Sequence, residues 1–343
     1  MCAETAFKWH PKELDKWTTW DTFIETKTDT GFRQSSWYAT LKVARGWEHF
    51  GTVLRDGDTI VGGAMVLARS FAPDKCCYYI PDGPVFLEED SLAEQEQVFR
   101  AVMAFIERKR QTEQQVVSHL CINPRWQQVP RFVKGFQESS HYYGSPRDTL
   151  CIDLNASEGT ILAQMKPKGR YNIGVAQRYG VSVVEDVSQQ GIDDFLSIYQ
   201  ETFARKGKRG RSPGYFHTLI PLLLAAERGS IFFAEYQGMR VATALVVFNG
   251  RTATYYYGGS RTVHRNVMAP YLLHFEIMRT AKGLGYQTYD LFGVTPQGGP
   301  NDGWTDISVF KRKFGGRELR LVPSLEYIYD STAYQEWKAS EEE

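Results

Sequence analysis

Two basic runs are the stretches best equipped for chemistry. Residues 161–181 read ILAQMKPKGRYNIGVAQRYGV and gather Lys166, Lys168 and Arg170 where one helical pattern ends and the next begins. Pro167 has no N–H and a fixed φ, which suits the first turn of the second helix; Arg178 follows before the stop at Gly180. The second run, Ala204–Tyr215, carries Arg205, Lys206, Lys208, Arg209 and Arg211 with no acid, spaced by Gly207, Gly210 and Gly214. Guanidinium forks on a glycine-rich loop suit a bidentate phosphate clamp. Charge runs also serve simply to keep a surface wet, so both readings stand on spacing alone. Two aromatic segments accompany them, Tyr255-Tyr256-Tyr257-Gly258-Gly259-Ser260 and Phe310-Lys311-Arg312-Lys313-Phe314-Gly315-Gly316. The seven histidines show no metal spacing, His217 and His264 read as bystanders, and no nucleophile–His–acid set is present. Five cysteines (Cys2, Cys76, Cys77, Cys121, Cys151) lack C-x-x-C spacing, which argues against both a disulfide framework and a zinc site.

These residues need elements to position them. With 343 residues, 42% hydrophobic, the chain reads as two domains. Lys+Arg and Asp+Glu both number 40, and a neutral total excludes a protein that coats nucleic acid non-specifically while leaving room for a local phosphate site. Lys8, Lys12, Asp15 and Lys16 break up any apolar leader, and Val241–Phe248 falls well short of the ~20 residues of a membrane span. A soluble, cytoplasmic monomer is expected, with peripheral membrane contact left open. Only the closing Ser-Glu-Glu-Glu, ending at Glu343, reads as a disordered tail.

The two halves echo each other. Phe50–Leu54, Asp56-Gly57 and Ile60–Leu67 read as a hairpin; Ile231–Glu235, Gln237-Gly238 and Val241–Phe248 repeat it. A further extended segment follows each (Cys77–Pro81; Thr252–Gly258), then a helix, then a strand (Val116–Ile122; Thr288–Phe292). The helices carry Val98, Val102 and Phe105 in the first half and Leu273, Ile277, Ala281 and Leu284 in the second, closing at Gly283 and Gly285. The pattern predicts an internal duplication, an α/β (α+β) protein of two tandem acetyltransferase-like (GNAT) units. The boundary is expected at the strand end Ile152–Asn155, before a helix capped by Ser157 or Thr160. Residues 1–153 with 315–343 would form the first unit and 154–314 the second.

GNAT order makes acyl-CoA a rival donor. CoA pyrophosphate needs a glycine-rich turn at a helix N-terminus. The corresponding turns are Arg265–Pro270, which has no glycine, and Leu87–Leu92, where Glu88, Glu89 and Asp90 would repel it. Acyl-CoA use is therefore disfavoured.

Met-Lys-Pro-Lys-x-Arg-Tyr-Asn-Ile (165–173) and Phe-Lys-x-x-Phe-Gly-Gly (310–316) resemble hallmark segments of the Fem (FemABX) family of aminoacyl-tRNA-dependent peptidyltransferases. Gln34-Ser35…Lys42, Arg211 four residues before Tyr215-Phe216, and Tyr-x-Tyr-Gly-Gly-Ser ending at Ser260 are similar to other family motifs. The absence of charged heptads between Asp186 and Ser230 marks a compact form without the coiled-coil insertion some members carry. The resemblance implies transfer of an amino acid from aminoacyl-tRNA, with no cofactor and no metal, to an amine on the stem peptide of UDP-MurNAc-pentapeptide or lipid II. It implies that Lys311 and Phe310 act at the ester end of the tRNA. Lys42, Arg211, Tyr215, Tyr257 and Asn123 would bind the precursor, with Lys42 and Arg211 jointly holding its diphosphate in a positive groove between the units. Lys166, Lys168, Arg170, Arg205 and Lys313 would bind tRNA. The sequence departs from the family at Asp82, where a basic residue is common, and at Asn123, where an Asp is common and whose amide cannot ionise. Aminoacyl transfer to a small peptide natural product, a GNAT acyltransferase and an inactive binding module remain alternative readings.

Overall fold

The computed structural model describes residues 8–27, 30–87, 90–141, 143–144, 146–296 and 305–342; Cys2, Glu88, Glu89 and Glu343 lie outside them. The chain forms two compact units, residues 1–145 with 321–343 and residues 146–320. The first contains β1 (Lys12–Glu13), α1 (Trp17–Glu25), α2 (Ser36–Val43), β2 (Glu48–Asp56), β3 (Thr59–Ala72), β4 (Lys75–Pro81), β5 (Val85–Phe86), α3 (Leu92–Thr112), β6 (Val116–Asn123) and β7 (Gln137–Glu138). The second opens with β8 (Asp148–Asp153), α4 (Glu158–Gln164), α5 (Pro167–Arg178), β9 (Ser182–Glu185), α6 (Gln189–Arg205) and α7 (Pro213–Ala225). It continues through β10 (Gly229–Tyr236), β11 (Met239–Asn249), β12 (Thr252–Ser260), α8 (Ala269–Gly283), β13 (Thr288–Gly293), α9 (Thr305–Lys311) and β14 (Arg317–Arg320). The chain then re-enters the first unit as β15 (Leu325–Ile328) and α10 (Ser331–Glu342).

The sheets run β1-β2-β3-β4-β6-β15-β7, with β5 on β3, and β14-β8-β13-β12-β11-β10-β9. Hairpin, third strand, helix and parallel fourth strand recur in both, with β4 parallel to β6 and β12 parallel to β13. The β10–β11 turn holds Gln237 and Gly238 both at positive φ, the backbone a two-residue hairpin loop needs. In α3, Ser91 and Glu94 form a capping box, and Val98, Ala101, Val102 and Ile106 face the core. Phe105, expected on that stripe, is only half-buried. In α8, Leu273, Ile277 and Ala281 are buried, but the helix stops at Gly283 and leaves Leu284 65% exposed.

Both expected unit boundaries shift. Residues 148–153 pair with β13 and β14, so this strand belongs to the second sheet and the break falls at 145/146 rather than 153/154. Arg317–Arg320 stays with that sheet too, and the return begins at Leu321 rather than Gly315. In the first unit β15 takes the place beside β6 that β8 takes beside β13 in the second. Its Glu326 is 0% exposed and accepts from the hydroxyls of Ser139 (2.6 Å), Tyr143 (2.7 Å) and Tyr334 (2.5 Å), which ties strand, loop and α10 together.

The two most specific motifs meet in one joint of the second unit. Lys166 N–H donates to the Lys313 carbonyl at 3.0 Å, and Gly169 packs on the same carbonyl, where a Cβ would sit 2.4 Å from the oxygen. Gly315 and Gly316, both at positive φ, lie equally tight against the Gln164 and Cys151 carbonyls. We expect Gly169→Ala to lower stability by about 1–3 kcal/mol despite alanine's higher helix propensity, because backbone must move to admit the methyl. Urea unfolding checks this, and a neutral or stabilising result would show that α5 can slide without penalty.

Candidate functional site

The two sheets differ where their parallel strands leave each other. In the first unit β4 and β6 stay paired as far as Pro81 and Asn123, through one register shift between Cys76 and Tyr78. In the second, β12 pairs β13 only over Thr252–Thr254 against Thr288–Asp290, and the remainder of β12 is held by β11 alone. Beyond Thr254 the two strands part, and Tyr255, Tyr256 and Tyr257 follow on β12. Tyr256 is an extra residue in β12, since Leu245 faces Tyr257 and Val246 faces Tyr255. A bulge of this kind re-aims side chains. Here it puts the Tyr256 and Tyr257 hydroxyls on the same side, both within reach of the Tyr215 hydroxyl (3.4 and 3.2 Å).

Lys311 closes α9 and is only 3% exposed. Its Nζ donates to the Gly293 carbonyl at 2.6 Å and lies 5.8 Å from the Tyr255 ring centre. Burial pushes its pKa down from 10.5 to about 7, with the carboxylate of Asp290 opposing the fall and Lys206 adding to it. Lys311 thus exchanges its proton near neutrality, and can act as cation or as base. His274 of α8 is buried beside it and stays neutral, its pKa lowered to about 3 by burial and then by Lys311. The His274 Nδ1 lies 2.7 Å from the Tyr289 hydroxyl. Phe310 is half-buried and packs on Tyr271, His274 and Phe314 with ring centres 5.1–5.5 Å apart.

Arg211, Tyr215 and Tyr257 form a second group. The guanidinium sits 5.5 Å from the Tyr215 ring and is hydrogen-bonded to Tyr257. Tyr199 of α6 accepts the Arg211 backbone N–H through its hydroxyl (3.1 Å), and burial pushes that phenol up to about 12. The two groups flank β12: Tyr255 meets His274 of α8, and Tyr257 meets Tyr199 and Phe216 of α6 and α7.

Other expected site residues have structural partners. Arg170 donates to the carbonyls of Ala163 (3.2 Å) and Met165, so its guanidinium caps the end of α4. Arg205 holds the Ser260 carbonyl (2.8 Å) and the Thr262 hydroxyl (3.1 Å). Lys166 and Lys168 are exposed, and Lys313 is half-buried with its carbonyl in the motif joint. In the first unit Lys42 lies over the rings of Trp47 (4.7 Å) and Tyr38 (5.6 Å). Asn123 donates to the Ser324 hydroxyl at 3.0 Å. Asp82 is explained by Arg33: both are buried, their charges lie 3.7 Å apart, and Asp82 also accepts the Arg33 backbone N–H at 3.2 Å. Beside them the Gln34 carboxamide donates to the carbonyls of Met65 and Pro81 and accepts the Met65 N–H (2.8 Å), bridging β3 and β4.

Sequence reading missed His274, Asp290, Tyr199, Tyr256 and Tyr289. Their chemistry depends on burial in the fold, and the bulge at Tyr256 shows only in the pairing of β12 with β11.

The duplicated architecture, with β12 and β13 parting in the second sheet, is that of two tandem GNAT-like units. The FemAB family model matches residues 127–222 and 226–340, more than half the chain, and the chain belongs to that family. Lipid II:glycine glycyltransferase of Staphylococcus saprophyticus is 19% identical over 92% of both chains. UDP-N-acetylmuramoylpentapeptide-lysine N(6)-alanyltransferase of Weissella viridescens is 26% identical over 86% of this chain and 89% of its own. The crystal structure of FemX superposes with a TM-score of 0.85 at 16% identity, covering 94% of this chain and 99% of that one. A tandem GNAT protein from the clavulanic acid pathway matches at 0.51 and 12%, covering 94% and 98%. Among the described residues no helix is long and apolar enough to cross a membrane.

Proposed function

We propose that this protein transfers an amino acid from an aminoacyl-tRNA to an amine on the stem peptide of a peptidoglycan precursor, beginning an interpeptide bridge. Family membership supports the class of reaction, as do relatives named for glycyl transfer to lipid II and alanyl transfer to a muramoylpentapeptide lysine. The observation that carries the reading is Lys311, a buried amine whose Nζ rests on the Gly293 carbonyl at the end of β13, where that strand has parted from β12.

The ester is already activated, so the protein needs to align the amine and steady developing charge. The neutral amine attacks the ester carbonyl and a C–N bond forms. The tetrahedral oxyanion collapses, the C–O bond to the ribose breaks, and the ribose oxygen leaves with a proton lost by the amine. Protonated Lys311 stabilises the oxyanion, and the half-buried Phe310 offers a face to the terminal base. Arg211, stacked on Tyr215, takes a phosphate of the acceptor. The exposed Lys166 and Lys168 contact the tRNA backbone.

Incubation with glycyl-, alanyl- or seryl-tRNA and UDP-MurNAc-pentapeptide tests the reading. One residue's mass should be added to the acceptor, and acetyl-CoA should not replace the tRNA. Acetyl transfer, or no product with either nucleotide- or lipid-linked acceptor, would overturn it. Arg211→Ala should weaken affinity for the muropeptide nucleotide by roughly 10–100-fold, the scale of one charged hydrogen bond. Arg211→Lys should restore little of it, because a point charge does not reproduce the fork. Calorimetric titration distinguishes these outcomes, and unchanged binding in Arg211→Ala would remove it from the acceptor site.

A further inference from the structure

We propose that Asp290 is a positioning residue for Lys311: it holds the end of β13 in the bent form that aims the Gly293 carbonyl at Nζ, and it supplies the counter-charge to the amine. Phe292, two residues on, has φ +63°, a left-handed backbone that bulky side chains rarely adopt and that persists only where the surroundings enforce it. The enforcing contact is the Asp290 carboxylate. It is 1% exposed, and Oδ1 accepts the Phe292 N–H at 2.7 Å as well as the Thr149 hydroxyl. The register of β13 against β8 slips between Asp290 and Gly293 at the same place. The slip turns Gly293 toward α9, where its carbonyl accepts from Lys311 at 2.6 Å. Two more bonds fasten the turn to that helix and the bend after it: Thr295 N–H to Ser308 Oγ (2.8 Å) and Arg312 Nη2 to the Thr295 carbonyl (2.5 Å).

The groups facing Lys311 come from several elements. Asp290 on β13 is the acid, Lys206 after α6 the opposing cation, and Tyr255 on β12 and neutral His274 on α8 form uncharged walls. Removing the acid leaves burial and Lys206 acting in the same direction, so the amine should lose its proton more easily. Asp290→Asn keeps the shape and an oxygen for the Phe292 N–H, and removes the charge.

This inference rests on Lys311 being the working amine of the proposed transfer, but its test does not use the reaction. Protein carrying [ε-13C]lysine is titrated by NMR without substrate, and the Lys311 signal is assigned from its loss in Lys311→Arg. The wild-type midpoint is expected near 7, and in Asp290→Asn about one pH unit lower. Asp290→Ser, which keeps a smaller polar group, is read in the same way should the first variant not fold. In transfer assays the pH limb that disappears in Lys311→Met should move with the NMR midpoint. A midpoint unchanged in a folded variant would overturn the proposal, even if the melting temperature falls. Failure of both variants to fold would also overturn it, because Asp290 would then be a structural residue. An absent transfer activity with a shifted midpoint would instead reject the functional reading and leave the coupling intact.

Discussion

Lys311→Met should slow transfer sharply without silencing it, and at the same time make the protein harder to melt. Removing one donor to a developing oxyanion typically lowers the rate ~10²–10³-fold, and single-turnover transfer with unchanged affinity for the muropeptide nucleotide is the expected pattern. The stability gain follows from the sign of the titration. The unfolded chain holds the lysine proton up to about pH 10.5, the folded protein only to about 7. Between those values the unfolded state binds more protons, so wild-type stability rises with pH across this window, and the full penalty is present below about 7. Each pKa unit is worth about 1.4 kcal/mol, which makes the penalty several kcal/mol at pH 7. Methionine removes the buried charge and forgoes one bond to Gly293, a smaller term. Thermal melts from pH 6 to 10 should show a wild-type rise that the variant lacks. Parallel curves would place the amine in water rather than among Tyr255 and His274. A site residue that lowers stability is the expected trade between activity and folding.

Asp82→Ala should remove about 3–5 kcal/mol from the first unit, because it takes the counter-charge away from a buried guanidinium, that of Arg33, which also donates to the Gly144 carbonyl at 3.0 Å. Replacing both residues, as Arg33→Met with Asp82→Ala, should recover most of the loss, since a buried pair contributes far less than the penalty of breaking it. Urea denaturation of the two singles and the double gives the coupling directly. A loss under about 1 kcal/mol in Asp82→Ala would mean that water reaches Arg33. The pair also accounts for an acid at position 82 where the family resemblance anticipated a base: its charge answers a residue 49 positions away.

Much of the fold was legible because a duplicated order of hairpin, helix and strand survives in hydrophobic spacing. Turn residues such as Gln237-Gly238 added independent punctuation. The boundaries were not legible. Asp148–Asp153 and Arg317–Arg320 are short strands whose membership depends on which sheet offers a free edge, and spacing within a strand carries no such information. Motifs singled out Arg211, Tyr215 and Lys311, and the fold sets Arg211 against Tyr215 and buries Lys311. Their working state was hidden, since Phe-Lys-x-x-Phe does not say that its lysine is buried beside an acid. Arg170 shows the opposite limit: in the sequence it is one charge of a basic run, yet in the fold its guanidinium ends a helix. The Tyr256 bulge escaped detection because a residue inserted into a strand breaks the very period by which strands are recognised.

The order of strands in the two sheets has a consequence for how the protein is made. During synthesis every strand of the second sheet, residues 148–320, emerges before Leu325–Ile328 of the first. Until then the edge of Val116–Asn123 that will receive this strand has no partner from it, and Ser139 and Tyr143 lack the Glu326 carboxylate that joins them. An open apolar edge invites pairing with other chains. The half that is translated first is therefore the half that matures last, and a chain that ends between residues 320 and 325 holds every strand of the second sheet behind an unfinished first.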